Sequence, residues 1–346
     1  MTSAVALQPV GLDPGYGNIK ARGRLGQLNM GSFVATSTGG LGQAALGLRT
    51  PRRPLEVSAD GVTYLVGDEA GAWGQLVDIT EFYRLGSRHL TAAALAAIAA
   101  VAEEGSPISL AVGLPVALLR GEDADDQEAR EVAMTLRGRL LGRRDLLIRD
   151  RREERRVVLE VAALRLFPQP VGAWASLVLD DDGVARRPEA YRSLVGVVDI
   201  GFNTVDLYGV QGGVLQPAMA QGAALGVRRL LEQVAPGLGA YTALYRLRQG
   251  QLALDSEAVR EWAAEVAGFV RRCWGRLGLQ SATTLLVGGG VLLLQEHDCL
   301  SLLRRSLRGH VVVHHDPVVA NADGLYRLAA RAAARERERA GREATP

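Results

Sequence analysis

Lys20 is the only lysine in a sequence of 346 residues, and arginine supplies the rest of the 40 Lys and Arg side chains. It closes the run 11–20, which reads Gly-Leu-Asp-Pro-Gly-Tyr-Gly-Asn-Ile-Lys. The apolar stretch 5–12 predicts a strand that delivers Asp13 to a turn holding Gly15, Tyr16, Gly17 and Asn18. Gly and Asn reach positive φ at low cost, so such a turn can aim several backbone N–H groups into one concavity, which suits phosphate oxygens. An ammonium follows a phosphate as a compact point charge, whereas a guanidinium needs a planar, bidentate partner. The same spacing also describes an ordinary β-hairpin turn with a solvated lysine behind it, and this run alone does not separate the two.

Residues 195–208 repeat the device. An apolar strand ends at Asp199, Gly201 follows two residues later, Phe202 and Asn203 make a polar turn, and a second strand starts near Thr204 and carries Asp206. Two such loops could face one another across a cleft and grip a polyphosphate from both sides. Asp13 and Asp199 would then stand where hydrated Mg²⁺ is held, by one or two carboxylates with waters and phosphate oxygens completing the octahedron. A third cluster, Gly288, Gly289 and Gly290, ends the apolar run 285–287. Either a flat ligand approaches the backbone there, or the glycines make a tight strand-to-helix turn.

In this order the three runs resemble the actin-like ATPase superfamily, which also holds the heat-shock chaperone ATPase domain and the sugar kinases. The stretch from Asp13 to Lys20 is similar to its first phosphate loop, residues 199–206 to its second, and Gly288, Gly289 and Gly290 to its adenosine motif. Residues 167–174, Phe-Pro-Gln-Pro-Val-Gly-Ala-Trp, look like the first connecting segment. Residues 320–326, Ala-Asn-Ala-Asp-Gly-Leu-Tyr, look like the second, in a form typical of the bacterial plasmid-segregation actins of the ParM/StbA group. The Leu-Pro of residues 113–116 adds a strand end common there.

The resemblance implies an α/β, actin-like (ribonuclease H-like) fold of two lobes, each a mixed sheet with helices, with a nucleotide cleft between them. Lobe I would span 1–190, lobe II 191–320, and 321–346 would be a second connecting helix returning to lobe I with a charged tail. The implied cofactors are ATP, or GTP, and Mg²⁺, the metal held by Asp13 and Asp199. The implied nucleotide contacts are Asp13, Gly15, Tyr16, Gly17, Asn18, Lys20, Gly201, Phe202, Asn203, Thr204, Asp206, Gly288, Gly289 and Gly290, with Arg228 and Glu232 reaching the base from a helix of the second lobe. Gln169 and Asp199 are the implied catalytic pair. Gln169 falls where relatives orient the attacking water, and an amide can orient water but cannot accept its proton, which predicts slow turnover. A polar helix N-terminus between two prolines is the plainer reading of Gln169.

The function implied is that of a cytoplasmic ATPase that polymerises into filaments and moves plasmid DNA through a DNA-binding adaptor, touching neither nucleic acid nor membrane itself. A small-molecule kinase or phosphatase, or a nucleotide-binding scaffold, is the alternative on the same fold. A sugar kinase normally carries a catalytic aspartate in the cleft and a larger second lobe, and no such signature is evident. The retained Asp13, Lys20, Asp199 and Asp206 weigh against a scaffold without catalysis.

Composition agrees. The length calls for two lobes, and 48% hydrophobic residues suffice to bury both. A formal net charge of +2, with both signs interspersed, gives no field for nucleic acid. Cys273 and Cys299 lack disulfide or metal spacing, and no stretch has the length or character of a signal peptide or membrane span.

Periodicity and propensity position these motifs. Strands are predicted at 62–66, 109–114, 205–208, 214–215 and 311–313, and helices at 91–101, 123–141, 225–234 and 256–274, the last with Ser256 as N-cap. Residues 39–54 read as a surface loop and the charge run 143–156 as a solvated hairpin tip. Trp262 and Trp274 are expected in the core, and His310, His314 and His315 at the surface or a strand end rather than on a metal. Residues 331–346 read as a fraying tail.

Overall fold

The computed structural model describes residues 6–37, 52–79, 85–116, 127–150, 153–186, 188–278, 283–307 and 309–343. The chain opens with a meander of β1 (Gln8–Pro14), β2 (Asn18–Gly23) and β3 (Gly26–Gly31). Then come β4 (Val34–Ser37), β5 (Leu55–Ala59), β6 (Val62–Val66), β7 (Gly74–Leu76), helix α1 (Arg88–Val101) and β8 (Ile108–Leu114). Helix α2 (Gln127–Leu140), the antiparallel pair β9 (Gly142–Arg149) and β10 (Glu154–Pro168), and helix α3 (Gln169–Val178) complete this half.

The ten strands described pair in the order β3-β2-β1-β8-β10-β9-β5-β6-β4-β7. The centre is parallel, β1 with β8 and β8 with β10, and the flanks are antiparallel, so the sheet is mixed. β1 and β8 are buried along their whole length, which is why they read as unbroken apolar runs rather than alternating ones. Alanine fills seven positions of α1, letting the helix lie close to the sheet, and Ser87 caps it by accepting from Leu90 N at 3.3 Å. β1 begins and ends two to three residues later than the apolar run suggests, because hairpin pairing carries the strand through Asp13 and Pro14. Most of the expected 39–54 loop and the first residues of the helix expected from 123 lie outside the described residues.

The second half holds α4 (Pro188–Arg192), β11 (Leu194–Ile200), β12 (Val205–Gln211), β13 (Val214–Leu215), β14 (Gln221–Ala223), α5 (Val227–Val234), α6 (Ala240–Arg248) and α7 (Ser256–Gly278). It continues through β15 (Thr283–Val287), α8 (Gly289–Glu296), α9 (Leu300–Ser306), β16 (His310–Val313) and α10 (Ala320–Glu343). The second sheet runs β13-β12-β11-β15-β16, parallel from β11 to β16 and antiparallel at the β12 side, with β14 pairing β12. Trp262 and Trp274 are buried, their indole N–H groups donating to Leu225 O at 2.8 Å and Met219 O at 3.0 Å.

Two expectations are corrected. Asp255, not Ser256, accepts at the start of α7, from Ala258 N at 3.4 Å, while Ser256 Oγ lies 3.0 Å from His297 Nδ1. His314 stands at the end of β16, one of the two places expected for it, and is buried there, with Nε2 3.2 Å from Ser176 Oγ and Nδ1 2.7 Å from Asp316 O. Residues 331–343 continue α10 instead of fraying, because Ala, Arg and Glu are strong helix formers and the helix is anchored by its buried first turns and by Arg165 on Glu336 at 2.6 Å. The helices α3 and α10 cross at Gly172 and Gly324, where a Cβ on either would strike the other's backbone. Among the described residues no helix is long and apolar enough to cross a membrane.

Candidate functional site

A cavity of about 310 Å³ opens between the two sheets. From the first hairpin it is lined by Asp13, Gly15, Tyr16, Gly17, Asn18 and Lys20, and from the second by Asp199, Gly201, Phe202, Asn203 and Thr204. Lys20 lies directly opposite Asp13 in the β1–β2 register, its Nζ 3.0 Å from Oδ2, and only 14% of its side chain is exposed. The lysine is thus held inside the cavity wall and is not the solvated lysine of an ordinary turn.

The two turns meet. A Cβ on Gly17 would come 3.1 Å from Phe202 Cβ, and one on Gly15 would come 2.7 Å from Lys20 Nζ and 2.8 Å from Asn18 O. None of Gly15, Gly17 and Asn18 adopts positive φ, so the glycines serve close approach and not the left-handed backbone that their types suggest. The second turn is fixed from behind by the start of α5, where Gly226 N, Val227 N and Arg228 N donate to Asn203 O, Gly201 O and Phe202 O. The first backbone N–H groups of that helix therefore satisfy the turn carbonyls.

Two helix starts complete the polar end. Gln169, the first residue of α3, donates from Nε2 to Asp13 Oδ1 at 2.8 Å. Asn321, in the first turn of α10, donates from Nδ2 to Asp199 Oδ2 at 2.7 Å and reaches Asp13 Oδ2 at 3.5 Å. Burial raises the Asp199 pKa to about 6, the Asn321 hydrogen bond opposes that rise, the Asp13 charge adds to it and Lys20 counters it.

The donor set suits a hard cation that keeps its waters. Two buried carboxylates converge there, and Asn321 Oδ1 is buried without a hydrogen-bond partner. Among the described residues no group of three or more His, Cys, Asp or Glu side chains could hold a metal, and Asp13 and Asp199 are of the number and kind, one or two carboxylates, that could hold a hydrated cation.

The other end of the cavity is apolar, lined by Val227, Leu244, Leu247, Leu292 and Leu293. Gly288, Gly289 and Gly290 close one wall. Gly288 has φ 93° and sits where a Cβ would strike Ile200 O, Gly290 packs on Ile200, and only Gly289 faces open space. So a tight strand-to-helix turn accounts for two of the three glycines, and close approach to a ligand is left to Gly289. Three expected contacts lie outside the lining. Asp206 is buried and accepts from Thr204 Oγ1 at 2.7 Å, and Arg228 and Glu232 pair with each other at 2.8 Å on α5. An i,i+4 pair on the outer face of a helix reads in sequence much like a pair aimed at a ligand.

Arg248 and Asn321 were not singled out by sequence as site residues. Arg248, at the end of α6, donates to Asn18 Oδ1 at 2.7 Å and pairs with Asp68 at 2.8 Å, spanning the mouth of the cavity. Asn321 sits in a recognised motif, and that was its only signal.

A family model described as the N-terminal domain of actin-like proteins matches residues 11–172. A search of the curated proteins finds no match to this sequence. Among solved structures, apo ParM of psk41 superposes with a TM-score of 0.69 at 15% identity, covering 96% of this chain and 99% of its own. A 15-stranded ParM filament from Clostridium botulinum gives 0.64 at 15%, covering 94% and 99%. The archaeal actin homologue Ta0583 in complex with ADP gives 0.61 at 19%, covering 94% and 99%. Residues 11–172 thus match the N-terminal domain of actin-like proteins, and nearly the whole chain shares the fold of the actin homologues.

Proposed function

We propose that the protein is a Mg²⁺-dependent nucleotide-hydrolysing actin that polymerises into filaments and segregates DNA through an adaptor protein in the cytoplasm, with lobes at 1–190 and 191–320 and the remainder of the chain returning to the first. The observation that carries this reading is the pair of Asp-x-Gly hairpins, one from each sheet, meeting over one cavity with Asp13 and Asp199 at its polar end. The cavity joins that anionic, cation-ready end to an apolar one, the division that a nucleoside triphosphate requires. The ParM filament and the ADP complex among its structural neighbours support self-association and nucleotide binding here.

A bound divalent cation would neutralise charge on the phosphates; the rest of the chemistry falls to this chain. Lys20 neutralises phosphate oxygens as a point charge, and the turns at Gly15 and Gly201 let backbone come close to them. Gln169 holds the attacking water by hydrogen bonds without taking its proton, so hydrolysis is slow relative to assembly. Light scattering and electron microscopy of the purified protein test the proposal. Filaments that form with Mg-ATP and not without nucleotide are expected; a monomer in every nucleotide state, with phosphate transferred to a small molecule, would replace this reading with that of a kinase.

A further inference from the structure

Asn321 is the counterpart of Gln169 in the second half of the chain. Each stands at the start of a helix that follows the last strand of its sheet, and each donates an amide hydrogen to the hairpin aspartate of that sheet, at 2.8 Å to Asp13 and 2.7 Å to Asp199. Asn321 differs in reaching both carboxylates, with Asp13 Oδ2 at 3.5 Å. It differs also in what its other end does. Ionised carboxylates only accept, so the amide nitrogen faces them and Oδ1 is turned away, buried and without a hydrogen-bond partner. The side chain is 5% exposed and lines the cavity. An acceptor buried beside two carboxylates is costly to leave unpaired, and a hydrated cation brings O–H donors that need such acceptors.

We propose that Asn321 is a positioning residue of the cation site: its amide nitrogen sets the spacing of Asp13 and Asp199, and its Oδ1 accepts a hydrogen bond from a water in the shell of a divalent cation. The inference rests on reading the cleft as a Mg-nucleotide site. The rigid crossing of α10 over α3 at Gly172 and Gly324 fixes Asn321 before any ligand arrives.

The test is a titration of the full-length protein with Mn²⁺ in the presence of ATP, followed by electron paramagnetic resonance, beside metal-free ATP binding and circular dichroism. Asn321→Ala should weaken Mn²⁺ binding by about tenfold to a hundredfold, the usual effect of losing an outer-shell group, with metal-free ATP affinity held within about threefold. Asn321→Gln keeps both the amide donor and the carbonyl acceptor, one methylene farther from the backbone, and should stay within about tenfold of wild type. Wild-type Mn²⁺ affinity in Asn321→Ala, or an equal loss in both variants, overturns the inference. If Asn321→Ala does not fold, Asn321→Gln decides alone, retention supporting the inference and loss overturning it. A wild-type protein that binds neither Mn²⁺ nor ATP overturns the functional reading, and the inference with it.

Discussion

Lys20 and Asp206 occupy the same station in the two hairpins. Each lies seven residues after its hairpin aspartate and directly across the strand pair from it, Lys20 opposite Asp13 and Asp206 opposite Asp199. The repeat is thus one of backbone and not of charge. The first hairpin carries a cation against its carboxylate at 3.0 Å, while the second adds another carboxylate, whose Oδ2 accepts from Thr204 at 2.7 Å. Of the two hairpins, only the first carries a cation at this station.

Lys20→Arg keeps the charge and should still weaken Mg-ATP binding by about tenfold or more, because a guanidinium is longer and planar and the space beside Gly15 is already filled by Nζ. Apo stability should move by no more than about 1 kcal/mol, since the pair with Asp13 can re-form. Calorimetric titration and thermal unfolding of the variant read both quantities. Wild-type affinity would return Lys20 to a structural role.

Asp199→Asn should stabilise the apo protein at pH 8 while removing metal-dependent hydrolysis. The folded pKa of Asp199 is raised from 3.8 to about 6, so the stability linked to its proton is present below pH 4 and lost as pH rises through about 6. An amide in its place escapes that loss, by on the order of 1–3 kcal/mol for a fully buried carboxyl. Urea unfolding at pH 5 and pH 8 should show the two proteins closer at the lower pH. A gap independent of pH would mean that Asp199 is not strained in the fold.

Gln169→Ala should slow hydrolysis by about tenfold to a hundredfold with nucleotide affinity nearly unchanged, and filaments should persist longer. The amide is buried against Asp13 Oδ1 at 2.8 Å, so the same change also tests a structural role: if affinity drops as far as turnover, Gln169 holds Asp13 and does not handle water.

Arg248→Ala should speed nucleotide release by about tenfold while costing at most about 1 kcal/mol of stability, because its pair with Asp68 is partly exposed. Arg248 also holds Asn18 Oδ1 at 2.7 Å, and that contact ties α6 to the first hairpin across the cavity mouth. Stopped-flow displacement of a fluorescent nucleotide checks the rate. An unchanged rate would show that the mouth is not closed by this side chain.

The fold was legible because its signals are local. Asp13, Gly15 and Lys20 fall within one hairpin, as do Asp199, Gly201 and Thr204, and an apolar strand ending in Asp-x-Gly carries its meaning within about ten residues. Arg228 and Glu232, expected on the base side, lie outside the cavity lining for the converse reason. Nothing within α5 tells which face meets the cavity, and the structure turns both side chains toward each other while α6 and α8 supply the leucines.

What the sequence by itself determined, then, were the two hairpins, the helix starts at Gln169 and near Asn321, and the resemblance that this order of motifs carries. Only the tertiary structure decided that Asn321 would reach Asp199 across 122 positions of chain and Arg248 would reach Asn18 across 230. Contacts at such separations follow from how two sheets pack about the α3–α10 crossing, and no local propensity encodes which side chains that packing brings within hydrogen-bonding distance.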